Sequence, residues 1–419
     1  METNEMKLLL EEDPVLQNHA MIKVIGVGGG GSNAVNSMIH DKADQVEYWV
    51  FNTDSQALSF SPCENKLVLG KNVTKGLGAG GDPASGKAAA LDSYEDIKKI
   101  VSGADMIFIA VGEGGGTGTG ASPIVAKAAK EAGCLVMGIV TRPFNFEGKK
   151  KKTNALEGIN ALKENVDALL VVSNDKLMIS SGSEKLVSAF SSANHVLAES
   201  VKTVTDLILI HGIVNLDFAD VRNLLSGSGI ALIGFGQASG DNRAIKAADS
   251  AINSPLLESS IRGANTILLN FTIGEDVTLI EVQDAVNYIT QSATGKENSD
   301  VDIEFGIQLN ENEAEKEMIK IAIIATNFNK EIDFNDLPTR QVSIQAPSEE
   351  KKDLSSFAKD GQSVLPDYLR NRLGKDQVIS KVEVEEKEEE IPAPAVPKEE
   401  VVEEEEEEEE EPEIISPRF

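Results

Sequence analysis

The chain is poor in cysteine, in aromatic side chains and in long apolar runs. Cys63 and Cys134 are the only cysteines among 419 residues, and neither has a metal-ligand neighbour. One isolated pair gives no disulfide framework, so we expect two buried thiols in a reducing compartment. Aromatic residues make up 5% of the chain, which is typical of an aliphatic α/β core. No apolar run approaches the roughly 18 residues that a membrane-spanning helix needs.

Basic residues are also scarce. The chain has 39 Lys and Arg against 69 Asp and Glu, a net charge of −30. This balance argues against a nucleic-acid groove, so local amides and a few cations would have to hold any bound polyphosphate. Residues 376–419 carry 19 acidic and 4 basic side chains, half of the net charge. The acidic N-terminus lacks the basic region of a signal peptide, so we expect a soluble cytoplasmic protein with no direct membrane insertion.

The most informative feature that is present is a glycine-rich stretch at residues 112–120. It holds six glycines and two threonines, and it follows an apolar run at residues 106–111. The run predicts a buried parallel strand, and Ser122 and Pro123 predict a helix that begins with a serine cap and proline at its first position. Backbone N–H groups left free at the positive end of a helix dipole suit phosphate.

A second turn of the same kind occurs at residues 26–33, between a predicted strand at 21–25 and a predicted helix at 34–39. It satisfies the dinucleotide fingerprint, and Asp54 follows the next strand at about the spacing of a ribose contact. A Rossmann oxidoreductase using NAD(P) is therefore a serious alternative on this turn alone. A dinucleotide needs one such turn, however, whereas two can grip a triphosphate from both sides.

A third flexible loop, residues 74–83, leads into a predicted helix at 84–90. Residues 81–87 resemble a Walker A motif, but Ala88 stands where the magnesium-binding Ser or Thr belongs and no strand precedes it. We therefore interpret the loop as a lid over the terminal phosphate.

A long helical stripe ends at His211-Gly212, and an acidic pair follows it. Phe190 and Asn194 lie one turn apart near the start of the stripe, where they could contact a base, although core packing is the simpler role for Phe190. Asp217 and Asp220 share one face of the next helix, and capping of that helix explains them as well as catalysis does. Glu147 and the lysines that follow it fit either a ribose and phosphate contact or a solvated basic loop.

Alternating strand and helix patterns continue to about residue 335. We predict an α/β protein with a Rossmann-like parallel-sheet nucleotide-binding domain, a long central helix and a second α/β domain with a mixed sheet. The predicted segments are an N-terminal arm at 1–20, the nucleotide domain at 21–182, the central helix at 183–212, the second domain at 213–335, a linker at 336–362, a short apolar segment at 363–374 and a disordered acidic tail at 375–419.

Together these motifs resemble the tubulin/FtsZ family of GTPases, and within it the bacterial cell-division branch. The resemblance spans about residues 21–330 and rests on the run Gly114-Gly115-Gly116-Thr117-Gly118-Thr119-Gly120, with support from the motifs at 28–33, 52–54, 143–150 and 215–222. It implies GTP and GDP as ligands with Mg²⁺, head-to-tail self-assembly and a contractile ring at mid-cell. A related filament for plasmid partition, bound to a DNA adaptor, and a scaffold without hydrolysis stay open as alternatives.

The resemblance also implies roles for single residues. Implied nucleotide contacts are Gly29, Gly30, Gly31, Ser32, Asn33, Ala79, Gly80, Gly115, Gly116, Thr117, Gly118, Glu147, Lys151, Asn174, Phe190 and Asn194. Asn215, Asp217 and Asp220 are the implied hydrolytic group. The family's usual arginine is replaced by Lys151, which keeps the charge but loses the bidentate fork. Residues 363–374 resemble the family's peptide for membrane-tethering adaptor proteins.

Overall fold

The computed structural model describes residues 20–39, 45–181, 186–294, 301–310 and 317–328. Predictions for the N-terminal arm, the linker, the adaptor peptide and the acidic tail lie outside these residues. The strands, in chain order, are β1 Ile22–Val27, β2 Val46–Asn52, β3 Asn65–Val68, β4 Met106–Gly112, β5 Leu135–Arg142, β6 Ala168–Ser173, β7 Gly229–Ser239, β8 Ala264–Ile273, β9 Asp302–Leu309 and β10 Met318–Phe328.

Helices alternate with these strands. They are α1 Gly28–Met38, α2 Ser55–Phe60, α3 Pro83–Asp92, α4 Tyr94–Val101, α5 Thr117–Glu131, α6 Lys149–Lys163, α7 Asn174–Ser181, α8 Leu186–Leu209, α9 Phe218–Leu225, α10 Arg243–Ile252 and α11 Leu279–Thr294. A 3₁₀ turn at Asn145–Glu147 precedes α6.

The strands form a mixed sheet in the order β3-β2-β1-β4-β5-β6-β7-β10-β8-β9. Pairing is parallel from β3 to β6, and β6 also pairs in parallel with β7 through Ala168 to Leu170. Strand β10 is antiparallel to both β7 and β8, whereas β8 and β9 are parallel. The prediction of a parallel first half and a mixed second half is confirmed. Parallel strands need helical crossovers, which explains the regular alternation in the first half.

Helix α8 runs between the two halves of the chain. Its residues Ala193, Leu197, Val201 and Val204 are buried, as the stripe predicted, and they join a core cluster that includes residues of β1, β4, β5 and β8. Phe190, by contrast, is 42% exposed. The helix therefore packs its apolar face on the sheet and leaves the side near its N-terminus accessible.

Helix α5 begins six residues earlier than predicted. Thr117 is its first residue, so Ser122 and Pro123 lie inside the helix, and the predicted cap is wrong. Gly118 and Gly120 are thus helical. A Cβ on Gly120 would lie 2.0 Å from the carbonyl oxygen of Pro83. Position 120 requires glycine because the backbone of α3 contacts the backbone of α5 there. A loop conformation is not the reason.

Gly31 of α1 makes an equally close approach, and it yields a stability prediction. A Cβ on Gly31 would lie 2.1 Å from the carbonyl oxygen of Ala110, whereas a Cβ on Gly29 would meet nothing within 4 Å. We expect Gly31→Ala to lower the free energy of unfolding by on the order of 1–3 kcal/mol, because β4 and α1 would have to separate. Gly29→Ala, two residues away in the same helix, should leave it unchanged or slightly raised. Urea unfolding of the nucleotide-free proteins measures both, and equal midpoints would contradict the prediction.

Candidate functional site

A cavity of about 400 Å³ opens at the carboxyl ends of the parallel strands β1, β4, β5 and β6. In open α/β sheets, ligands bind at this edge. Twelve of the predicted nucleotide contacts line the cavity: Gly29, Gly30, Asn33, Gly115, Gly116, Thr117, Gly118, Glu147, Lys151, Asn174, Phe190 and Asn194. Ten of these residues meet there because they follow strands that end at the same edge, and Phe190 and Asn194 reach the cavity from α8.

Four helices contribute their first turns to this cavity. Gly29 and Gly30 are the second and third residues of α1, and Thr117 and Gly118 are the first two of α5. Lys151 is the third residue of α6, and Asn174 is the first of α7. Free backbone N–H groups and the positive ends of the helix dipoles therefore surround the cavity, which favours a multiply charged anion.

Helix α6 supports the same conclusion through its composition. Its first four residues are all lysines, Lys149 to Lys152, next to the positive end of its own dipole. Cations there are locally unfavourable unless an anion lies nearby. The segment predicted as a possible solvated loop is thus a helix start, and its charge suits phosphate.

The glycine loop after β4 is held by hydrogen bonds. The N–H of Gly114 donates to Thr119 Oγ1 at 2.8 Å, and the side-chain amide of Asn154 donates to the carbonyl of Gly114 at 3.4 Å. The hydroxyls of Thr53 and Thr117 lie 2.6 Å apart. These contacts fix the loop in place, which reduces the ordering cost of binding.

An aromatic group forms the other end of the cavity. The ring of Phe190 meets Phe144 edge-on at 5.1 Å, and Phe144 stacks on Phe146 at 5.0 Å. Asn194 lies one helical turn beyond Phe190 and lines the same cavity. A supported, accessible ring beside an amide can stack on a planar base and hydrogen-bond its edge.

Glu147 and Lys151 form an ion pair within the cavity, with Lys151 Nζ 2.8 Å from Glu147 Oε2. The other oxygen of Glu147 accepts from the N–H of Phe144 at 2.9 Å. The pair leaves little net side-chain charge within the cavity, so the attraction for an anion there comes mainly from the helix termini, and the other lysines of α6 add positive charge outside its lining.

Sequence reasoning missed several residues of the cavity wall, namely Gly112, Glu113, Thr141, Pro143, Ala193 and Leu197. Glu113 is the unexpected one, because it is 4% exposed. The sequence places Glu113 inside the glycine-rich stretch. Its burial could not be predicted from neighbouring residues, because it depends on packing against α5 and α6.

The predicted hydrolytic residues lie elsewhere. Asn215, Asp217 and Asp220 line a separate cavity of about 510 Å³ beyond the C-terminal end of α8, and none of the nucleotide contacts lines it. Asp217 caps α9 by accepting the N–H of Asp220 at 2.8 Å, so the capping alternative is confirmed as a structural role. Asn215 accepts the N–H of Gly212 at 2.6 Å and so closes the turn after α8. Asp217 and Asn215 are exposed.

Comparison with known proteins agrees with this geometry. Residues 21–181 match the GTPase domain of the tubulin/FtsZ family, and residues 229–329 match the C-terminal domain of the FtsZ family. A solved structure of FtsZ from M. jannaschii, described as an empty dimer, is 37% identical, with a TM-score of 0.70 over 77% of this chain and 92% of that chain. The chain belongs to the FtsZ family.

Two further solved structures resemble the chain. A single-residue variant of the M. jannaschii protein aligns with a TM-score of 0.71 at 37% identity, over 79% of this chain and 97% of that one. CetZ2 from Haloferax volcanii, in a protofilament with GTPγS, shares 21% identity and a TM-score of 0.63, over 73% of this chain and 92% of that one. The latter likeness concerns the fold alone.

Four of the contacts that the FtsZ resemblance implied do not line the cavity. Gly31 packs on the backbone of Ala110, and Ser32 is buried on α1. Ala79 and Gly80 belong to the loop before α3, where Ala79 lies against Gly116. That loop borders the glycine turn without reaching the cavity.

Two further observations limit the chemistry of the FtsZ-family site. Asp54 accepts the N–H groups of Gln56 and Ala57 as the cap of α2 and does not line the cavity, so the ribose contact of the oxidoreductase alternative is lost. Within the described ranges, no cluster of three or more His, Cys, Asp or Glu could hold a metal ion.

No helix in those ranges is long and apolar enough to cross a membrane.

Proposed function

We propose that this chain binds GTP in the cavity at the sheet edge and hydrolyses it within head-to-tail filaments. The observation that carries the proposal is the separation of two half-sites. The phosphate-binding glycines lie near the N-terminal end of α8, whereas Asp217 and Asp220 follow its C-terminal end. From Phe190 to Leu209 the helix rises by about 28 Å at 1.5 Å per residue.

In this proposal the helix N-termini and the glycine amides bind the phosphates. Phe190 stacks on guanine, Asn194 hydrogen-bonds its edge, and Glu147 accepts from the ribose, with Lys151 free to meet phosphate once Glu147 turns to the sugar. The loop of Ala79 and Gly80, which borders the glycine turn outside the cavity, moves inward to cover the terminal phosphate. Among the residues that the structure describes, no carboxylate cluster could hold a metal, so Mg²⁺ would be held mainly by phosphate oxygens and would neutralise part of their charge.

Hydrolysis then needs a second copy. A carboxylate some 30 Å away cannot orient water at its own subunit's nucleotide, but the acids of the next subunit can if its face carrying Asn215, Asp217 and Asp220 covers the cavity. Such a contact joins two different surfaces and repeats into an open filament. Self-association is supported by the M. jannaschii relative, which is described as a dimer.

We further propose that these filaments build the division ring at mid-cell, in the cytoplasm beneath the membrane. Residues 363–374, which lie outside the described part of the chain, would bind membrane-tethering adaptor proteins. These roles rest on membership of the FtsZ family. The apolar segment favours division over plasmid partition, which needs a DNA adaptor.

Assembly and turnover measured together test the proposal. We expect the chain to sediment with GTP and Mg²⁺ but much less with GDP, and GTP turnover per subunit to fall steeply on dilution. The control is turnover at constant GTP over a hundredfold range of protein concentration. A turnover per subunit that stays constant over that range would refute the shared active site, and failure to bind GTP would refute the proposal as a whole.

A further inference from the structure

We propose that Glu258 is a positioning residue, through which the C-terminal domain holds the nucleotide cavity in its binding geometry. This inference rests on the proposed function of that cavity. Glu258 belongs to the segment between α10 and β8, inside the region that matches the FtsZ C-terminal domain. Its side chain is 1% exposed, yet it lies among residues of the GTPase domain.

Two cations face this buried carboxylate. Arg142 Nη1 lies 3.7 Å and Lys176 Nζ 3.6 Å from Glu258 Oε2. Lys176 Nζ also donates to the carbonyl of Leu257 at 2.7 Å, a second link from α7 to the same segment. Burial raises the pKa of the Glu258 carboxyl, while Lys176, Arg142 and the N–H of Ser173 oppose that rise.

Each partner is adjacent to the cavity wall. Arg142 ends β5 between Thr141 and Pro143, both of which line the cavity, and Lys176 lies two residues beyond Asn174, which also lines it. Glu258 therefore contacts the end of β5 and the first turn of α7 from the opposite domain. A displacement of its segment would pull on both.

Burying charged groups costs desolvation free energy. The cost indicates that this ion pair orients the segment of Glu258 and does more than fill space. A buried ion pair is often no more stabilising than apolar side chains of similar volume, but a buried charge that loses its partner is strongly unfavourable. If the C-terminal domain shifts, the carboxylate leaves its cations. By linkage, a nucleotide that orders Thr141 and Asn174 must also favour the domain arrangement that keeps Glu258 in place.

Nucleotide affinity of dilute protein, below the concentration at which it assembles, tests the inference. We expect Glu258→Gln, which keeps the shape and removes the charge, to weaken GDP and GTP binding about tenfold. Glu258→Asp, which retains the charge, should recover most of that affinity. Lys176→Met removes one cation from a partly exposed position and should weaken binding in the same direction, which keeps the test open if Glu258→Gln folds poorly.

Glu281→Gln is the matched control. Glu281 belongs to the ion cluster of Arg243 and Asp276 in the same domain, away from the cavity, with Arg243 Nε 2.8 Å from Glu281 Oε1. We expect it to lower thermal stability without changing nucleotide affinity. Equal affinity of Glu258→Gln and Glu281→Gln would overturn the positioning role while leaving GTP binding intact. Loss of binding in the parent chain would instead overturn the proposed function.

Discussion

Asp217→Asn protein should bind GTP as the parent chain does and hydrolyse it at least about a hundredfold more slowly, since a group that orients the attacking water typically contributes on this scale. Asparagine suits the change because Asp217 caps α9 through Oδ1, and an asparagine side chain can accept the same hydrogen bond from Asp220. The loss then reports on the carboxylate charge and not on the helix. GTP turnover at saturating nucleotide, with melting temperature as the control, measures it.

Mixing two inactive variants separates catalysis between subunits from catalysis within one. Gly116→Val should not bind nucleotide, because even a Cβ on Gly116 would lie 2.8 Å from the N–H nitrogen of Asp82 and 2.9 Å from Ala79 Cβ. It keeps its own Asp217. In a mixture with Asp217→Asn, some contacts join an intact nucleotide cavity to an intact acid, so turnover should exceed the sum of the separate proteins. Strictly additive rates in filaments that contain both variants would argue against catalysis in trans.

The separation of the two half-sites was predictable from the sequence because both signals are local. The glycine turns follow apolar runs, and α8 is marked by a sustained three- and four-residue repeat that includes Ala193, Leu197 and Val201. Parallel strands joined by helices must end at one edge, so two such turns on parallel strands imply a shared cavity. The length of α8 then sets how far the acids lie from it.

What the sequence could not supply depends on contacts between remote segments. Gly31 and Gly120 look like phosphate-loop glycines, yet each is required by a backbone that crosses it from another element. Glu258 is more than 80 residues from its partners Arg142 and Lys176 and carries no motif of its own. A local sequence pattern predicts which backbone conformation is favoured. The roles of these residues depend instead on which remote elements pack against them.

The burial of Glu113 also depends on contacts between remote segments. This burial predicts that the stability of the fold depends on pH. Glu113 is 4% exposed, and within the described part of the chain neither of its carboxylate oxygens accepts a hydrogen bond. A Cβ on Gly158 of α6 would lie 2.4 Å from Glu113 Oε2, so helix and carboxyl are in close contact. Burial raises the pKa of Glu113 from 4.5 to about 7, and the nearby Thr119 side chain and Gly114 N–H offset this only in part.

The sign of the effect follows from proton binding. Between pH 4.5 and 7 the folded chain holds a proton on Glu113 that the unfolded chain has lost. The contribution of this group to stability is therefore fully present below pH 4.5 and is lost as the pH rises through 7. The shift corresponds to about 3 kcal/mol when complete, at roughly 1.4 kcal/mol per pKa unit.

Glu113→Gln should remove this dependence, since glutamine has the same shape and does not titrate. We expect the difference in unfolding free energy between Glu113→Gln and the parent to move in favour of the variant by about 2 kcal/mol between pH 5.5 and 8.5. Urea unfolding at several pH values measures it, and any pH-independent cost of the amide cancels in the comparison. Glu157→Gln, at an exposed position of α6, should track the parent throughout. If the curves of Glu113→Gln and the parent stay parallel, the Glu113 carboxyl is not a neutral acid in the folded protein, and a cation or an ordered water must reach it beneath the glycine loop.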